Sequence, residues 1–542
     1  MTPETHKTVG VCPTGEWLRR AKLFGALEDA LPVRFEGRRP GEWRGLDAVI
    51  LLENQDDPPP PSLRALVTTG PMRPPLEGRV VFGSSPLLDA RLRGRSLIDS
   101  RAAGIAGLAV GDDTILASCG SEALWTRNDV ADHLALAPEE LGPQELLRDG
   151  LVPGRWLGVL PLIHFLREVA GDLAWREPAT RASFIIDDPN LHWPSYGHVR
   201  FRALVNDAVC NGYHVAFATI PLDGWLVHPG VARLFRENQP VLSLLVHGND
   251  HLREELSQPR SDKEALALLA QALQRVAAVE ERAGVSVSRL MVAPHGRCTV
   301  HMMRAMLLTG FEGLCYSWRS SSAADRPLTG WEPADLVAGG FPVFPRLLVT
   351  NRLDDLVLRS FLAQPVILYA HHWDLAEGLD VLAEAAAFVN DEAGVRWESL
   401  SQIARSNYLT RRDGRTLRVR PFARRMHLEV PDGVEQVVVE LPRSHGEPLQ
   451  EIVAMNTSHG KVSSGFTEES SDPLPISGRE TAVLSLSRLD AIDLARVDLP
   501  SRRLLPILRR AATEGRDRLA PPFSELAGRV HRALEIGRPD KP

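Results

Sequence analysis

Four apolar stretches of the chain end in residues that can bind a metal ion, move a proton or present a backbone amide. They are ASFIID with Asp187 and Asp188, PVLSLLV with His247, RLMVA with Pro294, His295 and Gly296, and PVILYA with His371 and His372. Short runs rich in β-branched and aromatic residues are typical of buried strands. Parallel strands in α/β proteins bring their carboxyl ends to one edge, where these folds bind their ligands. The pattern therefore predicts one site at which the four strand ends meet.

The order of elements predicts an α/β fold class with three domains and a tail. Residues 151–407 alternate strand and helix patterns, with six or seven convincing strands, which predicts a distorted (β/α) barrel as the catalytic domain. Residues 1–150 begin with a strand–helix–strand order that predicts an N-terminal α/β domain. Short alternating strands between turn residues predict a C-terminal antiparallel β-sandwich at residues 408–500, and residues 501–542 are predicted to form a helical tail.

Composition argues against several classes of function. The chain of 542 residues has a net charge of −7 and no block of lysine and arginine, so no nucleic-acid partner is predicted. No apolar run is long enough to span a bilayer, and the first residues lack the pattern of a signal peptide. Five scattered cysteines without a CxxC pair argue against disulfides and against a cysteine zinc site. We therefore expect a cytoplasmic protein without a membrane partner, whose oligomeric state the sequence does not determine.

His247 and His251 are separated by three residues in the segment HGNDH. If a helical turn follows the strand, both imidazole rings lie on one face and can share a metal ion. An aspartate from another strand adds an oxygen ligand, and such a set leaves room for water and substrate, as a hydrolytic site requires. A second carboxylate can then accept a proton from the water. Adjacent residues of a strand point in opposite directions, so Asp187 and Asp188 can divide these roles only if the strand ends or twists there.

These motifs together resemble those of the polysaccharide deacetylase superfamily, which contains metal-dependent N- and O-deacetylases. The resemblance covers about residues 180–407. It implies that Asp187 is the general base of the reaction. It also implies that Asp188, His247 and His251 bind a divalent metal ion, with zinc as the first candidate.

Two further motifs of the superfamily have counterparts in this chain. Residues 294–296 resemble its Pro-Tyr-Gly motif, which implies that the backbone N–H of His295 stabilises an oxyanion. The segment LYAH resembles its Leu-x-x-His motif, which implies that His371 is the general acid that protonates the leaving amine. His372 is the alternative for that role, because the spacing alone does not fix the register of the strand.

The chain also departs from the superfamily's pattern. Val292 stands where members usually carry the arginine that orients the catalytic aspartate, and Pro189 follows the aspartate pair in place of glycine. Arg297 is a hypothetical substitute that would reach back to Asp187. The departures favour a divergent branch over a typical chitin or peptidoglycan deacetylase.

The predicted function is a metal-dependent hydrolase that removes an acyl group, acetyl above all, from an amide on a carbohydrate-like substrate. An alternative is a non-catalytic carbohydrate-binding or assembly module built on the same barrel, which the valine at position 292 favours. A third hypothesis is a metal-free glycoside hydrolase that uses two carboxylates. Six residues near the strand ends are candidates for holding substrate, with loop packing as the alternative for each: His192, Trp193, Tyr196, Trp225, Trp373 and Asp374.

Overall fold

A computed structural model describes residues 6–52, 58–68, 75–252, 254–317, 332–350, 354–476, 480–501 and 504–519. Buried apolar side chains form the main cores of an N-terminal sheet, a central barrel and a pair of C-terminal sheets. Among the described residues, no helix is both long enough and apolar enough to span a bilayer.

The N-terminal part of the described chain contains a mixed sheet of nine strands in the order β2-β1-β3-β4-β9-β8-β7-β5-β6. The strands are β1 (Lys7–Cys12), β2 (Val33–Gly37), β3 (Ala48–Leu51), β4 (Arg64–Thr68), β5 (Gly78–Phe82), β6 (Ser96–Asp99), β7 (Thr114–Cys119), β8 (Glu122–Arg127) and β9 (Ala131–Leu134). The pairs from β2 to β9 are parallel, and the pairs from β9 to β6 are antiparallel. Helices α1 (Thr14–Arg19) and α2 (Ala21–Ala30) follow the first strand, and α3 (Leu160–Ala170) packs into the same apolar core. The boundary at residue 150 stays a prediction.

Within the described residues, seven parallel strands close a barrel, because the first of them pairs with both the second and the seventh. The seven barrel strands are β10 (Arg181–Asp187), β13 (Val215–Thr219), β14 (Leu242–His247), β15 (Val287–Val292), β16 (Gly313–Ser317), β18 (Phe341–Leu348) and β19 (Val366–Ala370). A short hairpin of β11 (Ser195–Tyr196) and β12 (Val199–Arg200) follows β10. Two further strands, β17 (Asp335–Val337) and β20 (Arg396–Trp397), pair with β18 and β10. A barrel with fewer than eight strands is thus confirmed. The sequence pattern predicts no strand at β18, since two prolines interrupt its apolar run.

Helices surround the barrel, as the alternating pattern predicts. They are α4 (Phe201–Asn211), α5 (Pro229–Glu237), α6 (Asp262–Ala283), α7 (Val300–Leu308), α8 (Asp354–Phe361), α9 (Asp380–Asn390) and α10 (Leu400–Arg405). The longest, α6, begins with a capping box between Ser261 and Glu264 and ends at Gly284 in the left-handed conformation.

Alternation of side chains along the strands decides which residues point into the barrel. Ile185, Leu245 and Phe344 belong to one small apolar cluster with residues of the other barrel strands. Residues two positions further along a strand share the same face. Asp187, His247 and Arg346 therefore extend this inward face at the carboxyl ends of β10, β14 and β18.

The C-terminal described residues form two four-stranded sheets around a common apolar core. The strands are β21 (Tyr408–Asp413), β22 (Thr416–Pro421), β23 (Arg425–Glu429), β24 (Gln436–Val439), β25 (Glu451–Thr457), β26 (Gly460–Ser464), β27 (Phe466–Thr467), β28 (Ser470–Ser471), β29 (Leu474–Pro475) and β30 (Thr481–Arg488). The two sheets have the orders β21-β22-β24-β29 and β23-β30-β25-β26. The pair β22–β24 is parallel and so departs from the predicted antiparallel arrangement, while the other pairs in these sheets are antiparallel.

The chain then returns to the barrel as a helix over residues 504–519, here called the C-terminal helix. It lies beside the loops that follow β10, β13 and β19, because its polar side chains bind residues of those loops. The remainder of the predicted tail, residues 520–542, lies outside the described residues.

Candidate active site

Asp188, His247 and His251 come together at the carboxyl end of the barrel. One ligand atom from each lies within 4.8 Å of the others, the one such group of three among the described residues. The Oδ1 atom of Asp188 is 3.5 Å from Nε2 of His247 and 3.3 Å from Nε2 of His251. The structure thus brings together the three residues that the resemblance implies as metal ligands.

A break in the strand separates the two adjacent aspartates. β10 ends at Asp187, and Asp188 has a φ of +76°, in the left-handed region that residues other than glycine rarely adopt. His251 and His295 also have positive φ values, of +51° and +56°. Such backbone conformations cost on the order of 1–3 kcal/mol each and are concentrated at functional sites. The turn after β10 directs the Asp188 carboxylate to the histidines while Asp187 faces the barrel interior.

The donor atoms of this group fit a divalent cation. The carbonyl oxygen of Val292 can only accept, so Nδ1 of His247, 3.0 Å away, carries the proton and leaves the lone pair on Nε2. The Oδ1 atom of Asp188 is buried, and no hydrogen-bond partner for it is found in the part of the chain that the structure describes. Burial raises the pKa of Asp188, but His247, His251 and Arg510 outweigh that effect and hold the pKa well below its ordinary value. An ionised carboxylate and two imidazole nitrogens are the donor set expected for zinc or a similar ion.

No helical turn joins His247 and His251, because residues 248–251 form an irregular loop. The buried carboxylate of Glu255 shapes this loop by accepting the backbone N–H groups of Asn249, Asp250 and His251 at 2.6, 3.1 and 3.1 Å. These bonds replace the intrahelical bonds that a turn of helix would supply. The carboxylate therefore fixes the backbone that carries the second histidine.

Arg346 is the cation that orients Asp187, and the Arg297 hypothesis is wrong. Nη1 of Arg346 donates to Oδ1 of Asp187 at 2.7 Å, and both side chains are 2% exposed. Arg297 instead pairs with Glu254 at the surface, where 51% of its side chain is exposed. Burial raises the pKa of Asp187, but Arg346, His247 and His371 outweigh it and keep the pKa below its ordinary value. Arg346 comes from β18, 159 residues further along the chain than the aspartate that it pairs with.

Replacing Arg346 with methionine is expected to lower the free energy of unfolding by about 3–5 kcal/mol, since it leaves the buried Asp187 carboxylate without a counter-charge. Arg297→Met is the matched control, for which a change of less than about 1 kcal/mol is expected at an exposed pair. Urea denaturation of both variants measures the difference. Equal stability of the two variants would show that the buried pair does not hold the strand ends together.

His371, rather than its neighbour His372, faces Asp187. Nε2 of His371 is 3.8 Å from Oδ2 of Asp187, and Nδ1 is 3.7 Å from Oδ2 of Asp374. The ring of His372 is buried and points to the C-terminal helix, where Nε2 lies 3.7 Å from Asp517. Burial lowers the pKa of His371, but Asp374, Asp187 and Asp188 outweigh it and raise the pKa above its ordinary value.

His295 lies in a tight turn directly after β15. His295 and Gly296 have consecutive positive φ values of +56° and +67°. The His295 ring is exposed, and its centroid lies 5.0 Å from that of the His251 ring. The turn places residue 295 beside Asp188, His247 and His251, here called the candidate metal-ligand group, and the role of its backbone N–H stays a prediction.

The C-terminal helix adds side chains to this region that the sequence motifs did not predict. Arg510 pairs with Asp223 at 2.6 Å, and both side chains are buried. Asp517 accepts the hydroxyl proton of Tyr196 at 2.7 Å, at the loop that follows β10. The spacing of Arg510, Glu514 and Asp517 on one helix face is the signal in the sequence that could have indicated a polar contact.

No protein-family model and no curated protein matches the sequence. Three solved structures that match have identities of 15% or less. A candidate polysaccharide deacetylase from Mycobacterium smegmatis is 15% identical, with 43% of this chain and 92% of that chain covered and a TM-score of 0.33. Agd3, a carbohydrate deacetylase, is 9% identical, with 89% and 99% covered and a TM-score of 0.43. A family 4 carbohydrate esterase from Streptomyces lividans, in complex with acetate, is 12% identical, with 41% and 92% covered and a TM-score of 0.25.

Polysaccharide and carbohydrate deacetylases are thus among the solved structures to which this chain is similar.

Proposed function

We propose that the protein is a metal-dependent hydrolase that removes an acyl group, acetyl above all, from an amide on a carbohydrate-like substrate. The observation that carries this proposal is the grouping of Asp188, His247 and His251 next to the Asp187–Arg346 pair. Three ligands and an adjacent buried carboxylate are the parts that hydrolysis at a metal centre requires.

The residues divide the work as follows in this proposal. Asp188, His247 and His251 hold a divalent ion, which when bound would acidify water and polarise a carbonyl group. Asp187 accepts a proton from water, and its pair with Arg346 keeps it ionised and correctly oriented. His371, whose Nε2 atom is 3.8 Å from Oδ2 of Asp187, donates a proton to the nitrogen of the leaving amine.

Arg346 also bears on the alternative of a non-catalytic barrel. The observation behind that alternative was the valine at position 292, which removes the arginine expected next to the conserved proline. A guanidinium group nevertheless reaches Asp187 from β18 at 2.7 Å. The loss of one arginine from the motif has therefore not left the aspartate without a cation, and the hydrolase is the function that we retain.

Acetate release from N-acetylated amino-sugar oligomers tests the proposal directly. The assay compares the wild-type protein after zinc loading, after chelation and after readdition of zinc. We expect release that is lost on chelation and restored by the metal. Release that persists unchanged in the chelated protein would contradict the proposed metal dependence, and no release from any oligomer would contradict the proposed reaction.

The pH profile is expected to fall at high pH as His371 loses its proton. Interaction with Asp374 helps to raise the pKa of His371, so Asp374→Asn is expected to move the alkaline limb of the kcat profile to lower pH. The acid limb belongs to Asp187, whose lowered pKa keeps it ionised until the pH falls through that value. Asp380→Asn, at an exposed position on α9, is the control and should leave both limbs in place. An alkaline limb unchanged in Asp374→Asn would show that His371 is not the acid.

A further inference from the structure

A cavity of about 1240 Å³ lies between α6 and the C-terminal helix. Its walls are α6, the loop Pro221–Trp225 after β13, the loop that contains Asn249 and Asp250, and the C-terminal helix. Asn249 and Asp250 stand between His247 and His251 in the chain, so the cavity adjoins the loop that carries the two proposed histidine ligands. Its volume exceeds the roughly 300–1,000 Å³ of ordinary small-molecule pockets. The cavity therefore has room for more than the acylated unit of a substrate.

Trp225 presents a large aromatic ring at the edge of this cavity. Trp225 is one of the most exposed large apolar residues in the barrel region, at 64%. Arg282 on α6 fixes the backbone beneath it by donating to the carbonyl oxygens of Gly224 and Trp225 at 2.7 and 2.6 Å. A Cβ at Gly224 would lie 2.4 Å from the side chain of Val279, so the loop packs closely on α6. The exposed ring is thus held on a rigid support.

The ring of His192 lies beside the ring of Trp225. The centroid of the His192 ring lies 5.0 Å from that of Trp225. Nε2 of His192 donates to the carbonyl oxygen of Asp223 at 2.8 Å, and Nδ1 lies 3.1 Å from Glu514 of the C-terminal helix. A rigid aromatic surface that is ready before binding loses little conformational entropy when a ligand packs on it.

The remaining lining fits a neutral ligand with many hydroxyl groups. Among the described lining residues, five lysines and arginines face six aspartates and glutamates, so the cavity has no strong excess of either charge. The Gln274 carboxamide and the Lys263 and Glu264 side chains add donors and acceptors. A phosphate-rich ligand would need an excess of positive charge. An aromatic platform among mixed polar groups instead suits the apolar face and the hydroxyl groups of a sugar ring.

We propose that this cavity binds sugar units of an oligosaccharide substrate beyond the acylated unit, with Trp225 as the stacking surface. The proposal rests on the proposed function and extends it from a carbohydrate-like substrate to a carbohydrate chain. The C-terminal helix then forms one wall of the substrate cleft, through Arg510 and Glu514.

Isothermal titration calorimetry on the chelated full-length protein tests this binding without turnover. The probes are the tetramers and the monomers of N-acetylglucosamine and N-acetylgalactosamine. We expect at least one tetramer to bind the wild-type protein about tenfold more tightly than its monomer, and Trp225→Ala to remove most of that preference. Trp225→Phe should retain it, because the phenyl ring still offers a stacking face. Trp43→Ala, a tryptophan of the N-terminal region outside the cavity, should also retain it.

Two titration results would overturn the inference: equal binding of tetramers and monomers by the wild-type protein, including no binding of either, or a preference that survives in Trp225→Ala. Thermal unfolding checks that the variants are folded. We expect Trp225→Ala to fold, because the Trp225 ring is exposed and its loss leaves no buried cavity. Acetate release separates this inference from the proposed function. Tetramer binding without acetate release would contradict the hydrolase alone, whereas equal release from monomer and tetramer in wild type and Trp225→Ala would contradict the cavity's role alone.

Discussion

Replacing Asp187 with asparagine is expected to lower kcat for acyl release by a factor of about 10² to 10⁴. The amide keeps the size of the side chain and an oxygen that can accept from Arg346, but it cannot take a proton from water. Asp188, His247 and His251 are unchanged in this variant, so its zinc content should equal that of the wild-type protein. Steady-state kinetics together with metal analysis therefore separate loss of the base from loss of the metal.

Asp207→Asn is the matched control for this variant. Asp207 accepts the hydroxyl proton of Tyr213 at 2.8 Å, and Tyr213 lies just before β13, at the opposite end of the barrel from the site. Its replacement should leave kcat within about twofold of wild type, as for a residue with no part in the chemistry. An Asp187→Asn variant that retains wild-type kcat would require another group to act as the base.

Replacing Asp188 or His247 with alanine is expected to reduce zinc affinity by more than about 100-fold, because even the partners that merely orient metal ligands contribute 10- to 100-fold. Asp188 supplies the carboxylate oxygen of the group, and the Val292 carbonyl oxygen holds His247 in the correct tautomer. Acyl release should fall with the metal content. His459→Ala, at an exposed histidine of the C-terminal sheets, should bind zinc as the wild type does. Wild-type zinc affinity in either ligand variant would place the ion elsewhere.

The part of the site that could be predicted from the sequence is the part that depends on strand ends. Asp187, Asp188, His247 and His371 each follow an apolar run, and parallel strands in a barrel bring such ends together. Alternation along the strands then decides which side chain faces inward, and the structure shows the turn at Asp188 that allows adjacent aspartates to separate.

The contacts that could not be predicted join segments far apart in the chain. Arg346 lies on β18, and the two prolines of this strand interrupt the sequence pattern by which strands are predicted. Nothing in the neighbouring sequence indicates that Arg346 faces Asp187. Glu255 shapes the histidine loop by accepting three backbone N–H groups, an arrangement that no motif spacing encodes. Arg510 of the C-terminal helix pairs with Asp223, which lies 287 residues earlier in the chain.

The central claim is that Asp188, His247 and His251, from separate segments of backbone, bind one cation. Zinc titration of the full-length protein, followed by X-ray absorption spectroscopy of the loaded protein, tests it most directly. We predict one ion per chain, coordinated by two imidazole nitrogens and a carboxylate oxygen, with this signature lost in Asp188→Ala and His247→Ala. Zinc that fails to bind, or that binds with the same coordination in those variants, would contradict the claim.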